Sequence, residues 1–219
     1  MFFQPCGPIM NRLDCSGNHV EISSMIEPNA ASRNAPCIPS SMSDRPVLRD
    51  LVADVELACM AAAEAVPERV QAAVARHCAG VDWLLPDERA GSSDGYCRHI
   101  LHADPHGRFT VVALVWLAGQ VTPVHAHYTW CVYRVLSGVL MEDRYDWTGG
   151  ATGQACWRAS VERGVGTSGH GHGGLEQVHR LRHLAGSPAI SLHVYGIDVG
   201  RVASHVNRRP ARVVHEAMA

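Results

Sequence analysis

The chain has 219 residues, of which 47% are hydrophobic and 18% charged, and its formal net charge is −2. That is room for one ordinary domain with its own core plus an additional segment, in a protein of globular composition. A charge this close to neutral argues against a nucleic-acid or anionic-membrane partner, since both select a basic surface, and no stretch approaches the ~18 continuous apolar residues of a spanning helix.

The opening residues, Met1-Phe2-Phe3-Gln4-Pro5-Cys6, carry neither the cationic flank nor the apolar run of a signal peptide. A cytoplasmic protein, monomeric or weakly homo-oligomeric, is expected. Eight cysteines (Cys6, Cys15, Cys37, Cys59, Cys78, Cys97, Cys131 and Cys156) are spread without a CxxC pair. That spacing lacks the zinc-knuckle pattern and implies reduced thiols. Histidine is the unusual component: of fourteen, nine stand at His125 or beyond.

Residues 1–41, rich in Asn, Ser, Pro, Cys and Met without a clear period, read as a disordered extension or as an upstream stretch from a misassigned start, with Met42 the alternative start. A real regulatory arm is the competing reading. Residues 42–90 read as a helical segment packed on a barrel formed by residues 91–219. Ser43 or Asp44 can cap a first helix, and Pro46 suits its first turn. Val47, Leu48, Leu51, Val52, Val55, Cys59 and Ala62 then recur at three and four residues, one apolar face. Pro67 restarts a second helix with Val70, Val74 and Cys78 along one side, ended by Gly80. Both are expected to be packing elements.

From Gly95 the pattern becomes one of short strands. They are expected at 98–102, 109–116, 130–136, 139–145 and 189–195, with turns at Pro105-His106-Gly107, Gly149-Gly150 and Gly164 to Gly174. The strand 109–116 (FTVVALVW) is apolar on both faces and therefore buried. Many short strands with glycine punctuation argue for a β-sandwich or small barrel, with the tail from Arg208 to Ala219 as a peripheral cover. Trp116, Tyr128 and Trp130 are expected in pocket walls or core, and Cys97 in packing.

The richest stretch runs from Gly119 to Cys131 (GQVTPVHAHYTWC). On a strand, residues two apart share a face, so His125 and His127 aim two imidazoles at one point, as a metal requires. Two polar residues on a solvent face is the plain alternative. A second His-x-His pair, His170 and His172, sits among glycines that would hold ligands poorly and reads as a solvated loop.

Gly119, five residues, His125-x-His127, three residues, Cys131 and then Gly138 resembles the first motif of the cupin fold. Most cupins place a glutamate ligand where Cys131 falls, and its replacement here is similar to the cysteine dioxygenase family. Tyr96-Cys97-Arg98, Val115-Trp116 and Ser191-Leu192-His193-Val194-Tyr195 agree with that family in order, so the resemblance spans roughly Gly95 to Gly196. It implies a mainly β protein: a cupin small β-barrel or jelly roll with two N-terminal helices. It also implies a mononuclear iron(II), Fe(2+), held by His125, His127 and His179. His179 lies in Gln177-Val178-His179-Arg180-Leu181, twelve residues before Ser191, and His183 stands where the family often has asparagine.

By the same resemblance Arg98, with Tyr96 beside it, binds the substrate carboxylate, for which a planar guanidinium is suited. The 3-mercaptopropionate enzymes usually carry glutamine there, so Arg98 favours cysteine. Ser191, His193 and Tyr195, alternating on one strand face, correspond to a hydrogen-bonded relay beside the iron. Cys131 and Tyr195 correspond to a pair joined by a thioether in some members.

The implied activity is that of an iron(II)-dependent thiol dioxygenase that converts L-cysteine and O₂ to cysteine sulfinate. Three neutral imidazoles leave a divalent ion's charge uncancelled and draw a thiolate. Imidazole alone does not choose among iron, zinc, copper and nickel, but zinc cannot reduce O₂. A dioxygenase for another small thiol acid, such as 3-mercaptopropionate or mercaptosuccinate, and a non-catalytic metal-binding cupin are the open alternatives.

Overall fold

A computed structural model describes residues 44–148 and 153–214. The expectations for residues 1–41, Met42, Ser43, the Gly149-Gly150 turn and the last five residues lie outside them. No helix among the described residues is long and apolar enough to cross a membrane.

The two expected helices are α1 (Pro46–Ala58) and α2 (Val66–His77). Each carries a proline in its first turn, where the missing N–H removes no intrahelical bond. Asp44 is not the cap of α1. Arg45 holds that position without a side-chain cap bond, since a guanidinium has no acceptor to offer the first-turn N–H groups, and it donates to both Glu88 carboxylate oxygens, at 2.8 and 2.6 Å. The buried row of α1 ends at Ala58, with Cys59 at the C-cap and Ala62 exposed. Cys78 closes α2, so Gly80 lies beyond its end.

The strands are β1 (Cys97–Ala103), β2 (Thr110–Trp116), β3 (His125–His127), β4 (Cys131–Ser137), β5 (Leu140–Thr148), β6 (Gln154–Arg163), β7 (Ser168–Gly171), β8 (Gly174–Arg182), β9 (Ala189–Tyr195), β10 (Asn207–Arg208) and β11 (Arg212–Val214). They form a five-stranded sheet, β1-β2-β9-β4-β7, and a six-stranded sheet, β10-β3-β8-β5-β6-β11. A short α-helix, α3 (Val202–His205), precedes β10. The fold is mainly β, as expected, with two sheets and two helices ahead of them.

The period of two decides what each strand buries. On β2, Val111, Ala113 and Val115 join a core shared with Leu48, Leu51 and Val55 of α1 and Val70 and Val74 of α2. The alternate residues Val112, Leu114 and Trp116 face the barrel interior. On β9, Ile190, Leu192 and Val194 pack toward the helices, which leaves Ala189, Ser191, His193 and Tyr195 on the inner face. Burying each Leu or Val of the helix–sheet layer contributes about 1.5–3 kcal/mol. The helices thus seal one sheet and turn its polar residues inward.

Three expectations need correction. The Gly164–Gly174 stretch is not all turn: β7 lies within it and pairs with β4. β6 and β8 went unforeseen: along β6 Ala155, Trp157, Ala159 and Val161 recur at every second position but only Ala155 is buried, and on β8 Leu175, Val178 and Leu181 recur at three residues rather than two. The tail beyond Asn207 is more than a cover. β10 pairs with β3, and β11 runs parallel to β6 at the sheet edge.

Candidate metal centre

β3 and β8 pair antiparallel with His125 and His179 as direct partners, and the register shifts between His125 and His127. This arrangement brings three buried imidazoles together: one ligand atom of each lies within 4.8 Å of the others. The ring centroids stand 4.8–5.1 Å apart.

The outer nitrogens show how the rings are held. His125 donates Nδ1–H to the Pro123 carbonyl at 2.8 Å, which leaves Nε2 as the free donor atom. His179 donates Nδ1–H to Glu142 Oε1 at 2.9 Å, with the same consequence. Such partners fix tautomer and ring orientation at metal sites. Burial lowers the His125 pKa to about 3 and that of His127 well below its ordinary value, so both rings present neutral lone pairs. Three buried, convergent imidazoles suit a divalent transition metal.

Glu142, on β5, was not singled out in the sequence. Burial would raise its pKa, but hydrogen bonds from His179 and Arg163 hold it near 2. Arg163 donates to it through Nε at 2.9 Å, and Arg144 approaches at 3.2 Å. The neighbouring Asp143 is also buried, but it binds Ser160, Arg180 and Arg182, away from the triad. In sequence the two acids look alike, and only the strand's alternation separates them.

Arg98 and Tyr96, both half-buried, line a small chamber together with all three triad histidines, His193 and Tyr195. Arg98 Nη2 donates to the Tyr96 hydroxyl at 2.7 Å, and the Tyr96 ring stacks on Trp116 at 4.7 Å.

Ser191, His193 and Tyr195 are all buried on the inner face of β9 and hydrogen-bonded in series. Ser191 Oγ lies 2.9 Å from His193 Nε2, and His193 Nδ1 lies 3.2 Å from the Tyr195 hydroxyl. Trp116 Nε1, which can only donate, binds Ser191 Oγ at 3.0 Å. Ser191 Oγ accepts from Trp116 and keeps its hydrogen and a second lone pair for His193 Nε2. A neutral imidazole donates through one ring nitrogen and accepts through the other, so Ser191 and Tyr195 play opposite roles toward His193. Burial pushes His193 down to about 3 and Tyr195 well above its ordinary range, so both are neutral. Trp116 is thus part of the chain as well as of the core.

Cys131 on β4 is the direct register partner of Tyr195 on β9. Its thiol is buried, and burial raises its pKa. The five described cysteines are free, and Cys97 packs against the helix–sheet core. His170 and His172 are exposed and lie outside the triad. His170 stands on β7 rather than in a loop and contacts Gln71 of α2. His183 faces the carbonyls of Val139 and Ser187.

No protein-family model matches the chain. Among solved structures, it is similar to a protein of Thermus thermophilus, at 18% identity over 49% of this chain and 89% of that one, with a TM-score of 0.39. It is also similar to a protein of Klebsiella pneumoniae with a double-stranded β-helix domain, at 19% identity over 52% and 86% of the two chains and a TM-score of 0.38. A third likeness is to a cupin superfamily protein of Desulfitobacterium hafniense, at 11% identity over 52% and 90%, with a TM-score of 0.39.

Proposed function

We propose that the protein is an iron(II)-dependent thiol dioxygenase that oxidises L-cysteine with O₂ to cysteine sulfinate. One observation carries this reading: a triad of histidines without a carboxylate ligand shares its chamber with Arg98 and with the Tyr195 hydroxyl. Bound iron(II) supplies a redox-active centre for thiolate and O₂, which a neutral ligand set favours by leaving the ion's charge uncompensated. Both oxygen atoms end on sulfur. The sulfur gives up four electrons, O₂ accepts four, and no external reductant enters.

The chain's own residues orient and select. Arg98, already steered by Tyr96, pairs with the substrate carboxylate. The Trp116–Ser191–His193–Tyr195 chain holds a neutral phenol beside the reacting sulfur. Preorganised donors of this kind stabilise developing charge without reorganisation. A thioether between Cys131 and Tyr195, supported by their direct register across β4 and β9, belongs to the same reading. The new S–C bond replaces an S–H and a ring C–H, and O₂ takes the two electrons and two protons as hydrogen peroxide.

The experiment is aerobic incubation of the iron-loaded protein with cysteine, followed by product mass. A product heavier by two oxygen atoms is expected, and its absence with iron bound overturns the reading. Replacement of iron by zinc abolishes the product, since zinc has no redox chemistry.

A further inference from the structure

Four residues of the chamber, His127, Cys131, Tyr133 and His179, also line a second and larger space, a cleft bordered by β4, β5, β6, β7 and β8. Arg98 is absent from this cleft, and Arg144, Arg158 and Arg163 line it instead. The two spaces therefore meet at the triad and offer guanidinium groups on opposite sides of it.

Three arginines face two carboxylates in the cleft, those of Glu142 and Glu176. Glu142 is already engaged by His179 and Arg163. Arg144 and Arg158 are held only by long contacts, 3.2 Å to Glu142 and 3.3 Å to Asp146, and their side chains are 41% and 57% exposed. Each guanidinium has five N–H donors, so most of these remain available to a ligand.

Tyr133 supplies a second, independent observation. It is buried, with 6% exposure, and its hydroxyl has no hydrogen-bond partner among the described residues. A buried polar group left unmet is uncommon in a folded protein and calls for a partner. The charges acting on this phenol are those of the cleft, Glu142, Arg163 and Arg144, and burial keeps it protonated and able to donate. The glycines of β7 make the room: a Cβ at Gly169 would stand 2.7 Å from the Tyr133 ring, and one at Gly171 would collide with Gln177.

We infer that this cleft is an acid-binding subsite, in which Arg144, Arg158 and the Tyr133 hydroxyl receive a carboxylate carried on an arm of the thiol substrate. The inference rests on the thiol reading above and extends its substrate class from free cysteine to cysteine derivatives with a second, distal acid group. The thiolate anchors at the triad, the cysteine carboxylate at Arg98, and the distal carboxylate in the cleft.

A matched pair of ligands reads this subsite. N-succinylcysteine and N-butyrylcysteine differ only by a carboxylate in place of a terminal methyl. Binding of each is measured by calorimetry on zinc-loaded protein, where no oxidation competes. N-succinylcysteine is expected to bind roughly tenfold more tightly, the worth of one charge-assisted hydrogen bond. Arg158→Gln and Tyr133→Phe each shrink that ratio. Arg158 contacts Asp146 and not Glu142, and Tyr133→Phe keeps the ring, so both variants spare the triad's supports. Equal affinities in the natural protein, or a ratio that survives both substitutions, overturns the inference. Failure of cysteine to yield sulfinate sinks the dioxygenase reading and leaves this binding ratio unaffected, so the two failures are separable.

Discussion

Glu142 shows how much one side chain away from the ligand sphere can set. Its carboxylate accepts from His179 Nδ1 at 2.9 Å and anchors Arg163 in the same buried space. Glu142→Gln keeps the shape but removes the charge that holds Nδ1–H and neutralises Arg163. Iron(II) affinity is expected to fall by about 10–100-fold, read by competition titration against a chelator under argon. Unchanged affinity would make Glu142 a structural partner of Arg163 only. This residue was illegible in the sequence because Glu142-Asp143 reads as a solvated acidic pair, whereas His125-x-His127 announces itself through strand periodicity. His179 has no such local signal. It was reached only through the resemblance, and the β3–β8 register brings it opposite His125. Arg144, Arg158 and Arg163 gave no hint of a cleft, since each looks like a charge on an exposed strand face.

Register and turns carry the same logic to the level of elements. β4 and β9 pair with Cys131 opposite Tyr195, an arrangement that any slip by one residue would destroy, because it would send one side chain to the other face. The thioether expected there is tested by intact mass after aerobic turnover. The natural protein should be lighter by two hydrogens than its unlinked form, and the difference should vanish in Cys131→Ser. No mass difference rejects the link.

The two motif glycines play different parts. Gly119 has φ +84° with open space around it, whereas Gly138, at φ +73° between β4 and β5, would place a Cβ 2.8 Å from the Ala189 backbone. Gly119→Ala is expected to cost about 1–2 kcal/mol for the left-handed conformation alone. Gly138→Ala should cost more, by a further 1–3 kcal/mol or so of overpacking, and thermal unfolding of the pair measures the difference. The expected strands matching β1, β2, β4, β5 and β9 lie within three residues of the observed ones, since β2 is almost wholly apolar and β9 alternates apolar residues with Ser191 and His193. β6, β7 and β8 were missed: the alternating apolar residues of β6 are mostly unburied, β7 is half glycine, and the apolar residues of β8 recur at three.

At the scale of the molecule, two sheets bury polar residues on their inner faces, with consequences for pH. Burial holds His125 and His193 near 3, against an ordinary value of 6.5. Below pH 6.5 the unfolded chain therefore binds more protons than the folded one. Stability of the metal-free protein should fall as pH drops from about 6.5 toward 3, by up to about 1.4 kcal/mol per pH unit for each of these histidines. Urea midpoints taken at steps between pH 7 and 4 check this, and a flat profile would mean the rings are protonated in the fold.

The molecule's chemistry rests on imidazoles from two strands of one sheet acting as a single binding site. Anaerobic iron(II) titration of the metal-free protein, beside His179→Ala, measures that property. One tightly held ion per chain is expected, weakened by roughly a hundredfold or more when His179 is lost, beyond the range seen for outer partners. Iron bound as tightly by His179→Ala as by the natural chain would contradict it.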